Sequence, residues 1–437
     1  MKGIARGNGM PCCRSAITKV QGAVIAIIAI IIVAALVSGI YYYYTSIPTP
    51  TPPPPEKIKI GMIASLSGGL ATVGRLQKIT IEEAVKMINS EGGVFLKQYQ
   101  AKVPIELIIY DDESNPARAT ELAGRLAAEG VVAVICCSYA HIVTPAAKVT
   151  ERYGIPLLNG GTPIEFVAAA GPWNYTWSYG MSYKKIIDDF LAFLEGYKNR
   201  TNMKFAVILS DDIIGRTQKT LLVPELEKRG YSAFVPDLYP PGTTDFTALI
   251  TKMKEEKCEI LWMHGTAPTF ATFWRQCLAL GYKPKIIYQS GGLARLEEVQ
   301  ALGGDLALGV ITFLCWHYDY PFPMSKTFRE IWTKYLVEKN IDLSPVAAYY
   351  FTVPFILKDA LERAGSLDRE ALNKAIGETK MIGAPGPVSF DSVTHVGTGY
   401  MCLGQWMKTE YGTWILQPIW SKEVPEVKTV EPIFPLP

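Results

Sequence analysis

The feature that most constrains this chain is a unit that repeats from residue 57 onward: an unbroken apolar strand, a loop of small and polar residues, and an amphipathic helix. "KIKIGMIASL" leads through "SGGLATVG" to "RLQKITIEEAVKMINSEGG", where Ile79, Ala84, Met87 and Ile88 recur at helical spacing ahead of a stop at Gly92. "VPIELIIYDD" leads through "ESNP" to "ARATELAGRLAAEG", "VVAVICC" leads through "SYAHIV" to "TPAAKVTERYG", and "IPLLNGG" follows. A strand that is apolar at every position has both faces covered, and a helix after each strand supplies the cover. The pattern therefore predicts a parallel sheet between two helical layers. A second series starts near Lys204 with "KFAVILSDD" and "GRTQKTLLVPELEKRG" and continues through "CEILWMHG", "TFATFWRQCLALG" and "KPKIIYQSGG". Beyond Gly309, the helices "SKTFREIWTKYLVEKN" and "AAYYFTVPFILKDALERAG" are too apolar to stand alone and must pack on a lobe already made. The expected fold is α/β, with two doubly wound parallel-sheet lobes and a cleft between them.

Ligands of open parallel sheets sit outside the carboxyl ends of the strands. Those ends are the loops Ser65 to Gly69, Asp111 to Asn115, Ser138 to His141, Gly160 to Thr162, Ser210 to Asp212, His264 to Thr266 and Gln289 to Gly292. No nucleophile elbow, phosphate-binding loop, zinc-binding helix or dinucleotide fingerprint falls on them, which speaks against an enzyme. The pairs Asp111–Asp112 and Asp211–Asp212 would serve as acid and base or bind a cation, but aspartates after a strand more often turn the chain and cap the next helix. His141 and His264 across a cleft, with Asp319 near, would be a metal site; isolated loop histidines are more often simply hydrogen-bonded, and no metal or cofactor is expected. "CWHYDYPF", Cys315 to Phe322, offers its aromatics either to the core or to an apolar pocket. The loops "SGG", "SYAH" and "GGTP" present backbone N–H groups, hydroxyls and helix N-termini, which hold a small anion without catalysing anything.

The front of the chain has a different character. Val20 to Ile40 carries no charge over 21 residues, about the thickness of a bilayer's hydrocarbon layer as a helix. Lys2, Arg6, Arg14 and Lys19 precede it, and Tyr41 to Tyr44 sit where an interfacial aromatic belt belongs, so residues 1–19 are expected inside and everything after the span outside. A cleaved secretory leader is the competing assignment. "RSAITKVQGAVIAII" also resembles pilin-like signals of archaeal surface proteins, which would place processing near Ala16 or Ile17. "PTPTPPPP", Pro48 to Pro55, then forms an extended spacer of roughly 25 Å at about 3.1 Å per residue.

Taking those four basic residues from the 43 Lys and Arg leaves 39 against 41 Asp and Glu, so the body has no electrostatic case for nucleic acid. Asn174 in "NYT" and Asn199 in "NRT" match glycosylation acceptors, in keeping with an exterior address. Cys12 and Cys13 precede the span. The other cysteines, Cys136, Cys137, Cys258, Cys277, Cys315 and Cys402, have no metal or redox spacing and suit burial as small hydrophobes; Cys258 and Cys277 are the one pair considered for a disulfide.

Taken in order, "IKIGMIASLSGGLATVG", "INSEGGV", "YDDESNPARATELAGRL", "GIPLLNGGTP", "TDFTALITKMKEEKCEILWMHG", "LALGYKPKII" and "AYYFTVPFILKDALERAGSLDREALNKAI", ending in "GAPGPVSFD", resemble the branched-chain amino acid-binding (Leu/Ile/Val) family of ABC importers, type I periplasmic binding proteins. The resemblance covers Lys57 to Asp391. It implies two lobes joined by a crossover hinge, here 57–178 plus 312–392 and 179–311 plus 393–420, behind the anchor at 20–44 and the Pro-rich linker at 45–56 read above and ahead of a tail at 421–437. It implies a monomer that hands a small solute to a membrane permease, with Ser138, Tyr139, Ala140, His141, Gly160 and Thr162 at the ligand's carboxylate. On the second lobe it points to Ile214, Thr266 and Gly291, and Gly291 stands where amino-acid binders carry an acid for the ammonium. Because a buried unpaired ammonium is costly, an amide or an aromatic acid competes with an amino acid as ligand, and Trp262, Trp316 and Tyr318 would suit a flat apolar body. The alternative function is a membrane-anchored receptor, for which a stub of about 19 residues leaves little room for a signalling domain.

Overall fold

The computed structural model describes residues 19–46, 52–291, 293, 295–303 and 305–437. Cys12, Cys13, the processing position near Ala16 and the linker residues 47–51 lie outside them. The N-terminal segment and residues 54–437 are separate compact units. In the first, Lys19–Ser46 is one helix, and its stretch Gly22–Tyr43 is long and apolar enough to cross a membrane, with none of it buried in protein.

The body contains two large sheets. The first runs in the order Val396–Thr398, Thr176–Gly180, Leu157–Gly160, Ala133–Ile135, Ile58–Ala64, Ile105–Asp111, with every neighbouring pair parallel. The register sets Met62 beside Ile109 on one side and Ile135 on the other. Along this strand the pleat sends Ile58, Ile60 and Met62 to one face, against Ile81, Ala84 and Ile88 of the helix Ala71–Ser90 and against the helix Ala347–Ala364. Ile63 goes to the other face, with Leu122 and Leu126 of Pro116–Ala128 and Ile142 and Ala146 of Ala140–Arg152. Each fully buried aliphatic side chain contributes about 1.5–3 kcal/mol, which explains why strands with apolar residues on both faces select a sheet covered twice. The aspartates and asparagine after Ile105–Asp111 act locally: Asp111 Oδ1 accepts from Leu66 N and Glu113 N, both at 2.8 Å, and Asn115 Oδ1 caps the next helix at Ala117 N, 2.9 Å.

The second sheet runs Trp414–Trp420, Cys402–Lys408, Ile311–Leu314, Ile286–Ser290, Ile260–His264, Lys204–Leu209, Ser232–Phe234. Its last five strands are parallel, but Cys402–Lys408 and Trp414–Trp420 join antiparallel as a hairpin. Only five residues separate those two strands, too few for a parallel crossover. Trp262 and Tyr288 face the helices Tyr183–Leu194 and Ile213–Lys228, while Leu261, Met263 and Ile287 face Thr247–Glu255 and Ala267–Ala279.

The chain passes between the sheets after Gly180, after Leu314 and after Thr398. Two of the expected boundaries differ from the strand pairing. Ile311–Leu314 is hydrogen-bonded in the second sheet rather than opening the return to the first, and Val396–Thr398 pairs with Ser178–Gly180 in the first. Residues 421–437 are held on the second sheet by Val430 N to Pro418 O, 2.9 Å, and Leu436 N to Lys285 O, 3.1 Å. The six cysteines of the body are free and buried, so the considered Cys258–Cys277 bridge is not formed: Cys258 Sγ donates to Phe205 O at 3.2 Å, and Cys277 is enclosed in the core under Ala267–Ala279.

Candidate functional site

Strand order decides where a cleft can form. In the first sheet Ile58–Ala64 lies between Ile105–Asp111 and Ala133–Ile135, so the connections leave its carboxyl end in opposite directions and open a crevice there. In the second sheet Lys204–Leu209 holds the same position between Ser232–Phe234 and Ile260–His264. Residues of both lobes at these ends enclose a cavity of about 510 Å³, a size suited to a small organic molecule.

The first lobe contributes Ser138, Tyr139, Ala140 and His141, which run from a strand end into the helix Ala140–Arg152. The N-cap residue Tyr139 is extended, with φ −68° and ψ 153°, and its side chain accepts nothing from the first turn. Ile142 N and Val143 N donate to the Tyr139 carbonyl at 2.9 and 3.0 Å, which leaves the N–H groups of Ala140 and His141 for a ligand, at the positive end of the helix dipole. Ser138 is buried, its Oγ 3.5 Å from Ser65 Oγ.

Thr162 also lines the cavity, but its hydroxyl is engaged: Oγ1 contacts the carbonyl oxygen of Ser138 and Asn159 Oδ1, the latter at 2.8 Å. The side chain fixes the loop that carries Ser138 and has no proton left to offer a carboxylate. Gly160 is not among the lining residues. It sits inside the sheet, where a Cβ would come within 2.8 Å of Val353 Cγ2 and 3.3 Å of Cys137 Sγ. Its neighbour Gly161 lines the cavity instead.

On the second lobe, Ile214 and Gly291 line the cavity, and Thr266 does not. Thr266 caps the helix Ala267–Ala279, its Oγ1 2.9 Å from Thr269 Oγ1, and is exposed. Gly291 has φ +93°, and a Cβ there would meet the His264 ring at 2.9 Å, so packing against His264 is enough to explain the glycine. His264 points away from any metal cluster: Nδ1 is 2.9 Å from Ser290 O and Nε2 is 3.2 Å from Asp212 Oδ1. Among the described residues no three His, Cys, Asp or Glu side chains converge.

The aromatic expectation is corrected as well. Trp316 is 1% exposed and donates from Nε1 to Ser325 Oγ at 2.6 Å; Trp262 is fully buried and donates to Gln218 Oε1 at 2.8 Å. Neither reaches the cavity, because an indole beside a sheet of this size is used up by the core. The apolar lining comes from elsewhere, chiefly Val73, Leu76, Phe166, Met181 and Phe313.

Two polar features were missed by sequence. Gln77, on the helix Ala71–Ser90, is 1% exposed, lines the cavity, and its Oε1 has no partner among the described residues. A glutamine three residues after Gly74, on a buried helix face otherwise made of Thr80 and apolar residues, was the available signal. Arg295 and Glu298 place a cation and an anion on the second-lobe wall, with Arg295 Nη2 to Glu298 Oε1 at 3.5 Å and Arg295 N to Glu298 Oε2 at 3.1 Å. Buried Tyr183 and Tyr350 also line the cavity, and burial pushes both phenols well above their ordinary range, so they face a ligand as neutral hydroxyls.

A periplasmic binding protein family model matches residues 57–410. The chain is 26% identical over 343 residues to the Leu/Ile/Val-binding protein BraC3 of Rhizobium johnstonii, covering 78% of this chain and 88% of that one. It is 24% identical over 357 residues to the leucine-, isoleucine-, valine-, threonine- and alanine-binding protein of Pseudomonas aeruginosa, covering 81% and 91%. Among solved structures, the leucine binding protein LivK of Thermotoga maritima superposes with a TM-score of 0.68 at 19% identity, over 84% of this chain and 99% of that one. A solute binding protein of an ABC transporter from R. palustris, in complex with 4-hydroxybenzoate, gives 0.67 at 20%, over 85% and 98%. With two α/β lobes, three crossings between them and an interlobe cavity at both switch points, this chain belongs to the periplasmic binding protein family.

Proposed function

We propose that this protein captures a small organic carboxylate with an apolar body in the interlobe cavity and delivers it to an ABC permease. The observation that carries this is the uncapped start of the helix Ala140–Arg152, opening with Ser138 and His141 onto a mainly apolar cavity. A carboxylate satisfies those N–H groups, the aliphatic and aromatic walls take the body, and Gln77 Oε1 accepts from a hydroxyl or N–H at the far end. The R. palustris neighbour bound to 4-hydroxybenzoate, an acid with both an anionic end and a phenolic donor, supports this chemistry. The protein acts by binding and lobe closure, without turnover. The family implies a body outside the cytoplasmic membrane. The helix Gly22–Tyr43 supports an anchor that keeps this monomer beside its permease, with the prolines as spacer.

A second ligand class, the α-amino acids, is favoured by Glu298. This carboxylate lies on the cavity wall, near in sequence to the position where Gly291 lacks one, and would meet an ammonium. Calorimetric titration of the full chain in detergent with branched-chain amino acids, their deaminated acids and hydroxybenzoates tests both. Binding of the acids without the amino acids supports the first reading; binding of amino acids that is lost in Glu298→Gln supports the second. Silence across the whole panel would remove the solute-capture assignment.

A further inference from the structure

A second cavity, of about 460 Å³, lies on the other side of the loop 342–346. Leu343, Ser344 and Val346 of that loop line the first cavity, while Asp342 and Pro345 line the second. Its walls come from both lobes: Trp332 and Leu336 from the helix Pro323–Lys339, and Trp406, Trp414 and Leu416 from the C-terminal hairpin. Trp316 and His317 of the crossover complete it.

The hydrogen-bond state of this lining is uneven. Trp406 Nε1 is taken by Leu293 O at 2.8 Å and Trp316 Nε1 by Ser325 Oγ at 2.6 Å, so these two indoles offer ring faces only. His317 is 4% exposed. Its Nδ1 accepts from Asp319 N at 3.3 Å, which puts the hydrogen of the neutral ring on Nε2, and Nε2 has no partner among the described residues. Burial, only partly offset by Asp319, lowers His317 to about 4, so the ring is neutral at pH 7. Trp332 Nε1 likewise has no partner. A buried donor left unsatisfied costs about 1–3 kcal/mol. At the rim, Arg329 and Asp342 are of opposite sign, which favours a neutral guest.

We propose that this cavity is a second ligand site, taking a neutral planar aromatic molecule that carries a hydrogen-bond-accepting oxygen, with His317 Nε2 donating to that oxygen and tryptophan rings stacking on its faces. Aromatic stacking and a dry hydrogen bond are what these walls leave unfilled. Because the walls belong to both lobes, the guest bridges them, and its binding depends on how the lobes are set.

The test is ¹⁹F NMR titration of 4-fluoroacetophenone into the full chain in lipid nanodiscs, with empty nanodiscs as blank. Saturable binding is expected. His317→Phe, which keeps the ring and removes the donor, is expected to weaken it about tenfold, the loss of one hydrogen bond. Leu336→Trp fills the cavity from a partly exposed rim position and is expected to abolish it, and Ile213→Trp in the first cavity is expected to leave it unchanged. No saturable binding to the unaltered chain overturns the proposal, as does loss of binding in Ile213→Trp with Leu336→Trp unaffected. Loss in Leu336→Trp with full binding in His317→Phe removes the assigned donor and overturns it too.

Discussion

His264 and Asp212 meet at the switch point of the second sheet, with Nε2 3.2 Å from Oδ1 and Nδ1 of the same ring 2.9 Å from the carbonyl oxygen of Ser290. Each ring nitrogen thus faces an oxygen, one from the Asp212 side chain and one from the backbone. Asp212 in turn caps the helix Ile213–Lys228 at Gly215 N, 2.9 Å, and that helix presents Ile213 and Ile214 to the cavity. The pair therefore positions one wall of the cavity without itself lining it.

Its pH dependence has a definite sign. Burial opposes ionisation of Asp212, but the hydrogen bond and charge of His264, helped by Gly215 N–H, hold its carboxyl down to about 2. An unfolded aspartate titrates near about 3.9. The stabilisation is complete above about pH 4 and disappears as the pH falls toward 2. Asp212→Asn should melt below the unaltered protein at pH 7, with the gap closing in acid. Thermal melts over pH 2–7 check this, and equal melting at pH 7 would contradict it.

His141→Glu tests the proposed anion site at the start of the helix Ala140–Arg152. His141 is exposed at the first turn, where a carboxylate is favourable for the helix itself, so folding should be kept. A like charge beside a ligand carboxylate costs about 1 to 4 kcal/mol at a few ångströms, depending on the local dielectric. Affinity for acids should fall about tenfold or more, and affinity for the matching neutral amides should not. Parallel calorimetric titrations separate the two outcomes.

Gln77→Leu removes the orphaned Oε1 while keeping volume. Replacing a buried unsatisfied polar group by an apolar one is neutral or stabilising, so urea unfolding should show no loss. Ligands with a hydroxyl or N–H opposite the carboxylate should weaken about tenfold relative to those without one. Equal weakening of both kinds would show that Gln77 meets no ligand donor.

Gly160→Ala and Thr162→Ala should act mainly on stability. The first forces a methyl against Val353 and Cys137, an overpacking that costs about 1–3 kcal/mol. The second leaves Asn159 Oδ1 and the Ser138 carbonyl without their donor, at about 1–3 kcal/mol. Denaturant midpoints measure both. A full loss of ligand affinity in Thr162→Ala with unchanged stability would restore Thr162 to direct ligand contact.

That Ser138 to His141 would line the cavity was legible because it is local. A strand, a short polar loop and a helix start place Ser138 to His141 at a carboxyl end whatever the rest of the chain does. The same logic failed for Thr266 and Gly160, which lie in equivalent loops but point into a cap and into the sheet. Loop position alone says nothing of side-chain direction. Trp316 was misplaced for a related reason: an aromatic next to a histidine reads equally as pocket or core, and only the packing of Ser325 and the helix Pro323–Lys339 chooses.

The sequence by itself determined the layers. Strands that are apolar on both faces over most of their length, each followed by an amphipathic helix, bury those faces in a sheet covered twice, and the uncharged run after Lys19 has the length of a membrane span. Tertiary structure decided which lobe owns Ile311–Leu314 and Val396–Thr398, because either sheet had an edge to receive them and pairing is settled by hydrogen-bond partners far away in the chain. It also decided the chemistry of the cleft. Gln77 and the Arg295–Glu298 pair are brought to one cavity from sequence positions more than two hundred residues apart, and no local pattern records that meeting.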